Sequence, residues 1–353
     1  MDLPHIPDRM AAYPIGAAQI LADKVAQDMM VFVKRHVFTA MTLEPNLNWR
    51  DVFVLSQILR YPEGLTPAEI SGNTRLDPAT VLRADEKLQK ARYIVILEQA
   101  FDARSNLIQI TPAGASFLEE LFQTYLLKQE QVYENFLPRL EKQDIRNIFE
   151  TCLDIQEHAE QLASLSATGK IRRQNRTGYS RAALQESFDN FQKFPEFILQ
   201  VYCRRISNDY MKFLKIHAMS KMSEKPLRKS RELLTLMTLE YMEHDATAMD
   251  VAKLMRFDPA TTSRAVSILT SAGCIKPLSG YAADDRKKPL SLSEKGMRSV
   301  AEYKTLMLKA YEKASDRLNL QRPKTVTVNQ LGILYFLGNR TKVFASIKPG
   351  KLV

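Results

Sequence analysis

Apolar side chains recur every three to four residues along most of the chain, which is the spacing of amphipathic helices. In the first half, this pattern predicts helices at 15–43, 49–60, 67–71, 78–91, 112–137 and 141–166. Between the fourth and fifth helices, β-branched runs predict short strands at 93–97 and 107–110. Thr66 and Asp77 mark two of the helix starts, because each is a good N-cap followed by proline. The first half is therefore predicted to be mainly helical, with one β-hairpin.

The second half shows the same order of patterns. Helices are predicted at 182–219, 228–243, 247–255, 259–272, from 293 onward, and at 328–336, with strands at 274–278 and 290–292. The last of these helices is predicted to be shorter than its counterpart in the first half, and the C-terminal tail is predicted to fray.

The similarity between the halves extends to individual residues. Asp77-Pro78-Ala79-Thr80 recurs as Asp258-Pro259-Ala260-Thr261, an offset of 258 − 77 = 181 residues. A period this long indicates two copies of a whole domain, since solenoid repeats are much shorter. We therefore expect one domain at 1–166, a basic linker at 167–181, and a second domain at 182–353.

Composition limits the classes of partner. The 353 residues include 50 Lys and Arg against 40 Asp and Glu, a net charge of +10 that favours polyanionic partners. No apolar run is long enough to span a membrane, and the N-terminus lacks the features of a secretory signal, so a cytoplasmic protein is expected. The three cysteines form no CxxC pair, which favours buried thiols, with a redox-sensing thiol as the alternative.

Three helices followed by a strand, a turn and a second strand form the order of a winged helix-turn-helix. In such motifs one helix enters the major groove of DNA, and the hairpin tip reaches the minor groove. Both hairpins carry Asp-x-Arg, an apolar strand, a hydroxyl residue and, three residues later, glycine. The first copy reads Asp102, Arg104, Leu107, Ile110, Thr111 and Gly114, and the second reads Asp284, Arg286, Leu290, Leu292, Ser293 and Gly296. With these motifs, both halves resemble the MarR family (multiple antibiotic resistance regulators).

The resemblance implies a fold and a set of DNA contacts. MarR-like proteins are homodimers with interlocked first and last helices, so this chain is expected to be mainly α with small β-hairpin wings. Its tandem winged helix-turn-helix lobes would form a single-chain pseudo-dimer, and further oligomerisation stays open. Arg104 and Arg286 would probe the minor groove, held in place by Asp102 and Asp284. A small aromatic or acidic effector is also implied.

The two predicted recognition helices, 78–91 and 259–272, differ in their outward residues. The second has small hydroxyl side chains and one arginine, which suit base edges and phosphates. The first has Leu82 and Glu86 on its outward side, and Arg92 replaces a terminal glycine. The candidate DNA-binding residues are Thr80, Arg83 and Arg104 in the first half, and Thr261, Ser263, Arg264, Ser267, Arg286, Lys287 and Lys288 in the second. We therefore expect a transcriptional regulator that reads an asymmetric operator.

The remaining chemistry is sparse. His36 and His217 occupy equivalent positions late in the first long helix of each half, where they are weak candidates for lining effector pockets, with inherited packing as the alternative. No metal-binding, phosphate-loop or nucleophile motif is present, so neither an enzyme nor a cofactor is expected. A competing hypothesis is a winged-helix protein-interaction or assembly module whose first lobe binds little or no DNA.

Overall fold

The computed structural model describes residues 3–6, 11–41, 47–74, 76–97, 106–165, 195–242, 246–255, 257–278, 288–318, 326–348 and 350–352. These residues are mainly helical, with two small antiparallel hairpins. The first half contains α1 (Pro14–Phe32), α2 (Trp49–Ile58), α3 (Pro67–Thr74), α4 (Pro78–Lys90), β1 (Ile94–Leu97), β2 (Leu107–Ile110), α5 (Pro112–Asn135) and α6 (Lys142–Ala163). The predicted linker, 167–181, lies outside the described residues.

The second half contains α7 (Pro195–His217), α8 (Ser230–Tyr241), α9 (Ala248–Met255), α10 (Pro259–Ser271), β3 (Ile275–Pro277), β4 (Leu290–Leu292), α11 (Glu294–Leu318) and α12 (Val328–Ser346). Both α3 and α4 have the same length as α9 and α10, at the offset of 181 residues. An isolated bridge from Leu65 to Ile108 also recurs, as Ala246 to Leu290. The repeat predicted from the sequence is therefore a repeat of local structure.

Local chemistry explains why the short helices begin where they do. The Thr66 amide donates to Glu69 Oε2 at 2.8 Å, and the Glu69 amide donates to Thr66 Oγ1 at 3.3 Å. These two bonds form a capping box at the helix start that the sequence predicted. In α9, Thr247 and Asp250 make the same pair of bonds at 3.0 and 3.2 Å.

The described chain divides into two compact units, and each draws on both halves of the sequence. Unit 1 is assigned from Met1–Gln27, Glu150–Gln174 and Tyr202–Gly338, and unit 2 from Asp28–Phe149, Asn175–Val201 and Asn339–Val353. Each unit thus combines one hairpin and its neighbouring helices with chain from the other half.

The hydrophobic core of unit 2 shows how this combination is stabilised. Phe344, from the second half, packs its ring edge-on against Phe32 of the first half, with centroids 5.0 Å apart. Both side chains are fully buried. The Arg35 guanidinium also donates to the Ala345 carbonyl at 2.8 Å, and Lys128 donates to the Leu352 carbonyl at 3.0 Å. The C-terminal segment therefore belongs to the core that surrounds the first hairpin.

Unit 1 is held together across the sequence in a comparable way. Lys24, from the first half, donates to the Gly338 carbonyl at 3.0 Å, and its neighbour Asp23 accepts from Ser207. Cys152 and Cys203, one from each half, are fully buried and interact through their thiols. All three cysteines are free and buried, as expected from their spacing.

Two helix ends differ from the sequence prediction. The first long helix becomes a π-helical turn at Val33–Val37 instead of continuing to residue 43. The last helix continues to Ser346, ten residues beyond the predicted end at 336. The Gly338-Asn339 pair resembles a helix stop, but Leu337, Thr341 and Phe344 are buried on either side of it. Tertiary packing therefore outweighs the weak helix propensity of this pair.

Arg92, directly after α4, adopts a left-handed backbone conformation with φ of 60°. The equivalent residue in the second half is Gly273, with φ of 72°. The fold fixes this conformation, because the Arg92 carbonyl accepts a hydrogen bond from Thr111 Oγ1 at 2.7 Å and the Gly273 carbonyl accepts one from Ser293 Oγ at 2.6 Å. A side chain in this region is strained, whereas glycine is not.

The Arg92→Gly substitution is therefore expected to raise the free energy of unfolding by about 1 kcal/mol. Urea denaturation followed by circular dichroism measures this change. The matched control is Gly273→Arg, which places a side chain at the equivalent position and should lower the stability by a similar amount. Destabilisation by Arg92→Gly would contradict the strain at this position.

Candidate nucleic-acid interface

Both helices predicted to read DNA begin at an aspartate cap. The Thr80 amide donates to Asp77 Oδ1 at 2.9 Å, and the Thr261 amide donates to Asp258 Oδ2 at the same distance. The Thr80 hydroxyl also donates to Asp77 Oδ2 at 2.6 Å. These bonds from Thr80 lower the pKa of Asp77. The hydroxyl of Thr80, a predicted DNA contact, is therefore engaged in capping α4.

In α10, the described residues present the face that the sequence predicted. Thr262, Ala265 and Leu269 point into the core, while Ser263, Arg264 and Ser267 are exposed. The helix contains no acidic residue between 259 and 271. Its outer face therefore combines hydroxyl groups and one guanidinium with Ile268, which is 37% exposed, and the nearest carboxylate in sequence is that of the Asp258 cap.

The two equivalent arginines are oriented alike. Arg264 Nε donates to the Ala260 carbonyl at 3.4 Å, and Arg83 Nε donates to the Ala79 carbonyl at 3.1 Å. Each side chain thus lies back along its helix towards the N-terminal turn, which is the part of a recognition helix that contacts bases. Arg83 also donates to the Thr80 hydroxyl at 3.2 Å.

The exposed face of α4 has a different character. Leu82, at the position of Ser263, is 56% exposed, and Glu86 is exposed one turn later. Lys87 is held by a salt bridge of 3.2 Å to the buried Asp51. Only part of the positive charge of α4 therefore lies on its outer side.

A buried carboxyl group in α4 is a feature that we did not predict from the sequence. Asp85 is 2% exposed, and neither of its carboxyl oxygens has a hydrogen-bond partner among the described residues. Burial, together with the negative charge of Glu86, raises the pKa of Asp85 to about 7. The second half has Val266 at this position. This difference between the two copies is the sequence signal that an apolar environment surrounds Asp85.

The hairpins also differ between the halves. In β1, Val95 and Leu97 are each 41% exposed, on the face of the strand opposite the buried Ile94. In β3, the residue equivalent to Val95 is Lys276, which is exposed. The first hairpin therefore exposes apolar side chains where the second exposes a positive charge.

The tips of both hairpins lie outside the described residues. This applies to Asp102 and Arg104 in the first half, and to Asp284, Arg286 and Lys287 in the second. Lys288 is described, and it is half-buried just before β4. The minor-groove contacts expected of these residues stay predictions.

Each hairpin is anchored to the long helix that follows it, and this anchor explains the glycine in the sequence motif. Ser293 Oγ donates to the Gly273 carbonyl at 2.6 Å and accepts from the Gly296 amide at 3.0 Å. A Cβ atom on Gly296 would overlap the carbonyl oxygen of Cys274. A Cβ atom on the equivalent Gly114 would likewise overlap the carbonyl oxygen of Tyr93. Only glycine allows this contact between helix and strand.

His36 and His217 each contact chain from the other half. His36 Nε2 lies 3.1 Å from the Ile347 carbonyl, and His217 Nε2 lies 3.3 Å from the Leu165 carbonyl. Burial lowers the pKa of each imidazole, and the backbone hydrogen bond opposes this shift. Each ring also packs against a phenylalanine four residues earlier. These contacts are those of packing residues, and the effector pocket stays a prediction.

A scan against protein-family models and searches of curated proteins and of solved structures gave no match. Within the described residues, no three His, Cys, Asp or Glu side chains are placed to hold a metal ion. The helices in that part of the chain are also too short or too polar to cross a membrane.

Proposed function

We propose that the chain is a sequence-specific, double-stranded-DNA-binding transcriptional regulator of the MarR type. Its two winged helix-turn-helix halves form a single-chain pseudo-dimer in the cytoplasm. The unlike helices α4 and α10, together with the predicted wing residues, read an operator with two unlike half-sites.

One observation supports the proposal most strongly: the exposed face of α10. An acid-free helix with a firm N-terminal cap, exposed hydroxyl groups and one arginine fits base edges and phosphates. The same order of helices and hairpin surrounds α4, so the first half is proposed as the second DNA-binding half of the regulator. The surplus of positive charge over the whole chain supplies a general attraction to DNA.

The resemblance of both halves to the MarR family also implies a mode of regulation. A small aromatic or acidic effector binds near the long helices and favours a form with lower DNA affinity. Such a ligand acts by differential affinity for two states of the protein, so it lowers DNA affinity and DNA lowers effector affinity by the same factor.

The Arg264→Ala substitution is expected to weaken binding to a preferred duplex by about 1–3 kcal/mol, or roughly 5- to 150-fold. Arg83→Ala should weaken it less, because Leu82 and Glu86 flank Arg83 on α4. Fluorescence anisotropy with a labelled duplex, at several salt concentrations, measures both affinities and the salt dependence.

Arg298→Ala is the matched control, because it removes an equal charge from an exposed site on α11. This variant should retain near wild-type affinity. If Arg264→Ala and Arg298→Ala weaken binding equally, the attraction is only general electrostatics, and α10 does not read DNA. If the wild-type chain binds no duplex at low salt, the proposed function is wrong.

A second candidate function rests on the exposed apolar side chains of the first half. Leu82 of α4 and Val95 and Leu97 of β1 are 41–56% exposed, on the helix and hairpin that the first proposal directs towards DNA. Such side chains suit a protein partner better than phosphates, so the first half would then be an interaction module. The Leu82→Ser substitution distinguishes the two functions. If the first half reads DNA, the change preserves or improves DNA binding. If the first half is an interaction module, the change abolishes binding of its protein partner.

A further inference from the structure

Asp23 and Arg204 occupy equivalent positions in the two halves, because 204 − 23 = 181. They are also neighbours within unit 1. Asp23 Oδ1 accepts a hydrogen bond from Ser207 Oγ at 3.4 Å, and Ser207 follows Arg204 by one turn of α7. The positive charge of Arg204 acts on the Asp23 carboxyl group. Asp23 therefore contacts the turn of α7 that carries Arg204, so an acidic and a basic residue at equivalent positions lie at the same turn of this helix.

Equivalent residues of two copies come close together only near the axis that relates the copies. In a pair of identical domains, a residue at such a position faces another copy of itself. A first half paired with another first half would place Asp23 beside a second Asp23. A second half paired with another second half would place Arg204 beside a second Arg204.

The surroundings make such like-charged pairs costly. Burial raises the pKa of Asp23, and the Arg204 charge and hydrogen bonds from Ser207 and Gln27 oppose this rise. Two carboxylates in this half-buried place would lose the favourable charge and gain a repulsive one. Opposite charges at these positions thus favour the pairing of unlike halves.

A neighbouring hydrogen bond also distinguishes the two halves. Gln19 Nε2, in α1, donates to Ser207 Oγ at 3.2 Å, and this bond is buried. The symmetry-equivalent partners would be Gln200 and Ala26, and alanine has no hydroxyl group to accept the bond. The second half has both an amide and a hydroxyl at these positions, whereas the first half lacks the hydroxyl, so two paired first halves could not form this bond.

A third contact follows the same rule. His158 Nδ1, in α6 of the first half, lies 2.9 Å from Tyr210 Oη, in α7 of the second half, and both side chains are buried. Beyond the hairpins the offset between the copies is 182 residues, as for Gly114 and Gly296. The equivalent positions are therefore Arg340 (158 + 182) and Met29 (210 − 181), which cannot make this bond. Arg340 instead donates to the Pro138 carbonyl at 2.9 Å. The long helices have therefore diverged as a matched pair.

We infer that the long helices carry a heterotypic pairing code, by which the first half accepts the second half of the chain and rejects another copy of itself. The code consists of Asp23 with Arg204, Gln19 with Ser207, and His158 with Tyr210. Because of this code, the pairing of unlike halves depends on the folded helices as well as on the covalent connection.

Re-pairing after cleavage tests this inference without reference to DNA. A specific protease site is inserted at 167–181, the folded chain is cut, and the fragments are unfolded in urea and refolded together. Native mass spectrometry distinguishes the pairs, because the fragments differ in mass. Mixed pairs alone are expected, and a statistical mixture of like and unlike pairs would overturn the inference.

Charge reversal in the uncut chain gives a second test, which does not depend on the refolding of fragments. Asp23→Arg and Arg204→Asp should each lower the thermal unfolding midpoint by several degrees, and the variant with both changes should regain most of the loss. Lys215→Asp, an exposed reversal on the same helix, should change little. If the losses of the single variants simply add in the double variant, the two positions are not coupled, and the pairing code is wrong.

Discussion

Replacing Gly296 with alanine is expected to lower the free energy of unfolding by about 3 kcal/mol or more. The added Cβ atom would overlap the carbonyl oxygen of Cys274, which is part of the backbone and cannot rotate away. Ser293 fixes the same helix turn through its bonds to Gly273 and Gly296, so the helix cannot shift without losing those bonds. Urea denaturation followed by circular dichroism measures the loss.

The chain provides matched controls for this substitution. Gly114→Ala, at the equivalent position of the first half, should be similarly destabilising, because its Cβ would overlap the Tyr93 carbonyl. Gly72→Ala in α3 meets no atom within 4 Å, so it should be neutral or stabilise by up to about 1 kcal/mol. Equal losses for Gly72→Ala and Gly296→Ala would show that a general intolerance of alanine, and not the close contact, is responsible.

Replacing Asp85 with valine is expected to raise the free energy of unfolding at pH 8 by about 2–4 kcal/mol. At that pH, the wild-type chain keeps an ionised carboxyl group in a place where no described residue forms a hydrogen bond with either oxygen. Valine is the residue that the second half uses at the equivalent position, Val266, so the backbone of the helix accepts it. Chemical denaturation of both proteins gives the difference.

The same substitution should change the pH dependence of stability. The pKa of Asp85 is about 7 in the folded chain, and that of an unfolded aspartate is about 4. Between these values the unfolded chain releases the proton while the folded chain retains it, so a rise in pH lowers the stability of the wild type. The advantage of the variant should therefore be small near pH 4, grow up to about pH 7, and stay constant above.

A comparison between variant and wild type at each pH cancels the other titrating groups, including His36 and His217. Glu86→Gln, which removes an exposed charge next to Asp85, is the control and should have only a small effect. If the advantage of Asp85→Val is the same at pH 4 and pH 8, Asp85 does not titrate as its surroundings indicate.

Much of the local structure could be predicted because the signals are local. The caps at Thr66, Asp77 and Asp258 fix helix starts through atoms only a few residues apart, and the structure contains all three. The two hairpins followed from β-branched runs between helices. The exposed sides of α4 and α10 followed from helical periodicity, and Leu82, Ser263 and Arg264 lie on them as expected.

The rest depends on contacts between distant residues, which periodicity does not reveal. Phe344 stabilises the late part of α12 because it packs on Phe32, more than three hundred residues earlier in the chain. Asp85 looks like an ordinary helix-surface charge until its burial is known. The contact between Asp23 and the α7 turn likewise appears only when α1 is placed beside α7.

The measurement that tests the central claim most directly is selection of bound duplexes from a random-sequence pool by the intact chain. We expect an enriched site with two unlike half-sites about one helical turn apart, roughly 34 Å, one of them losing its sequence preference in the Arg264→Ala variant. No enrichment over the starting pool, or a site with two identical half-sites, would contradict the account.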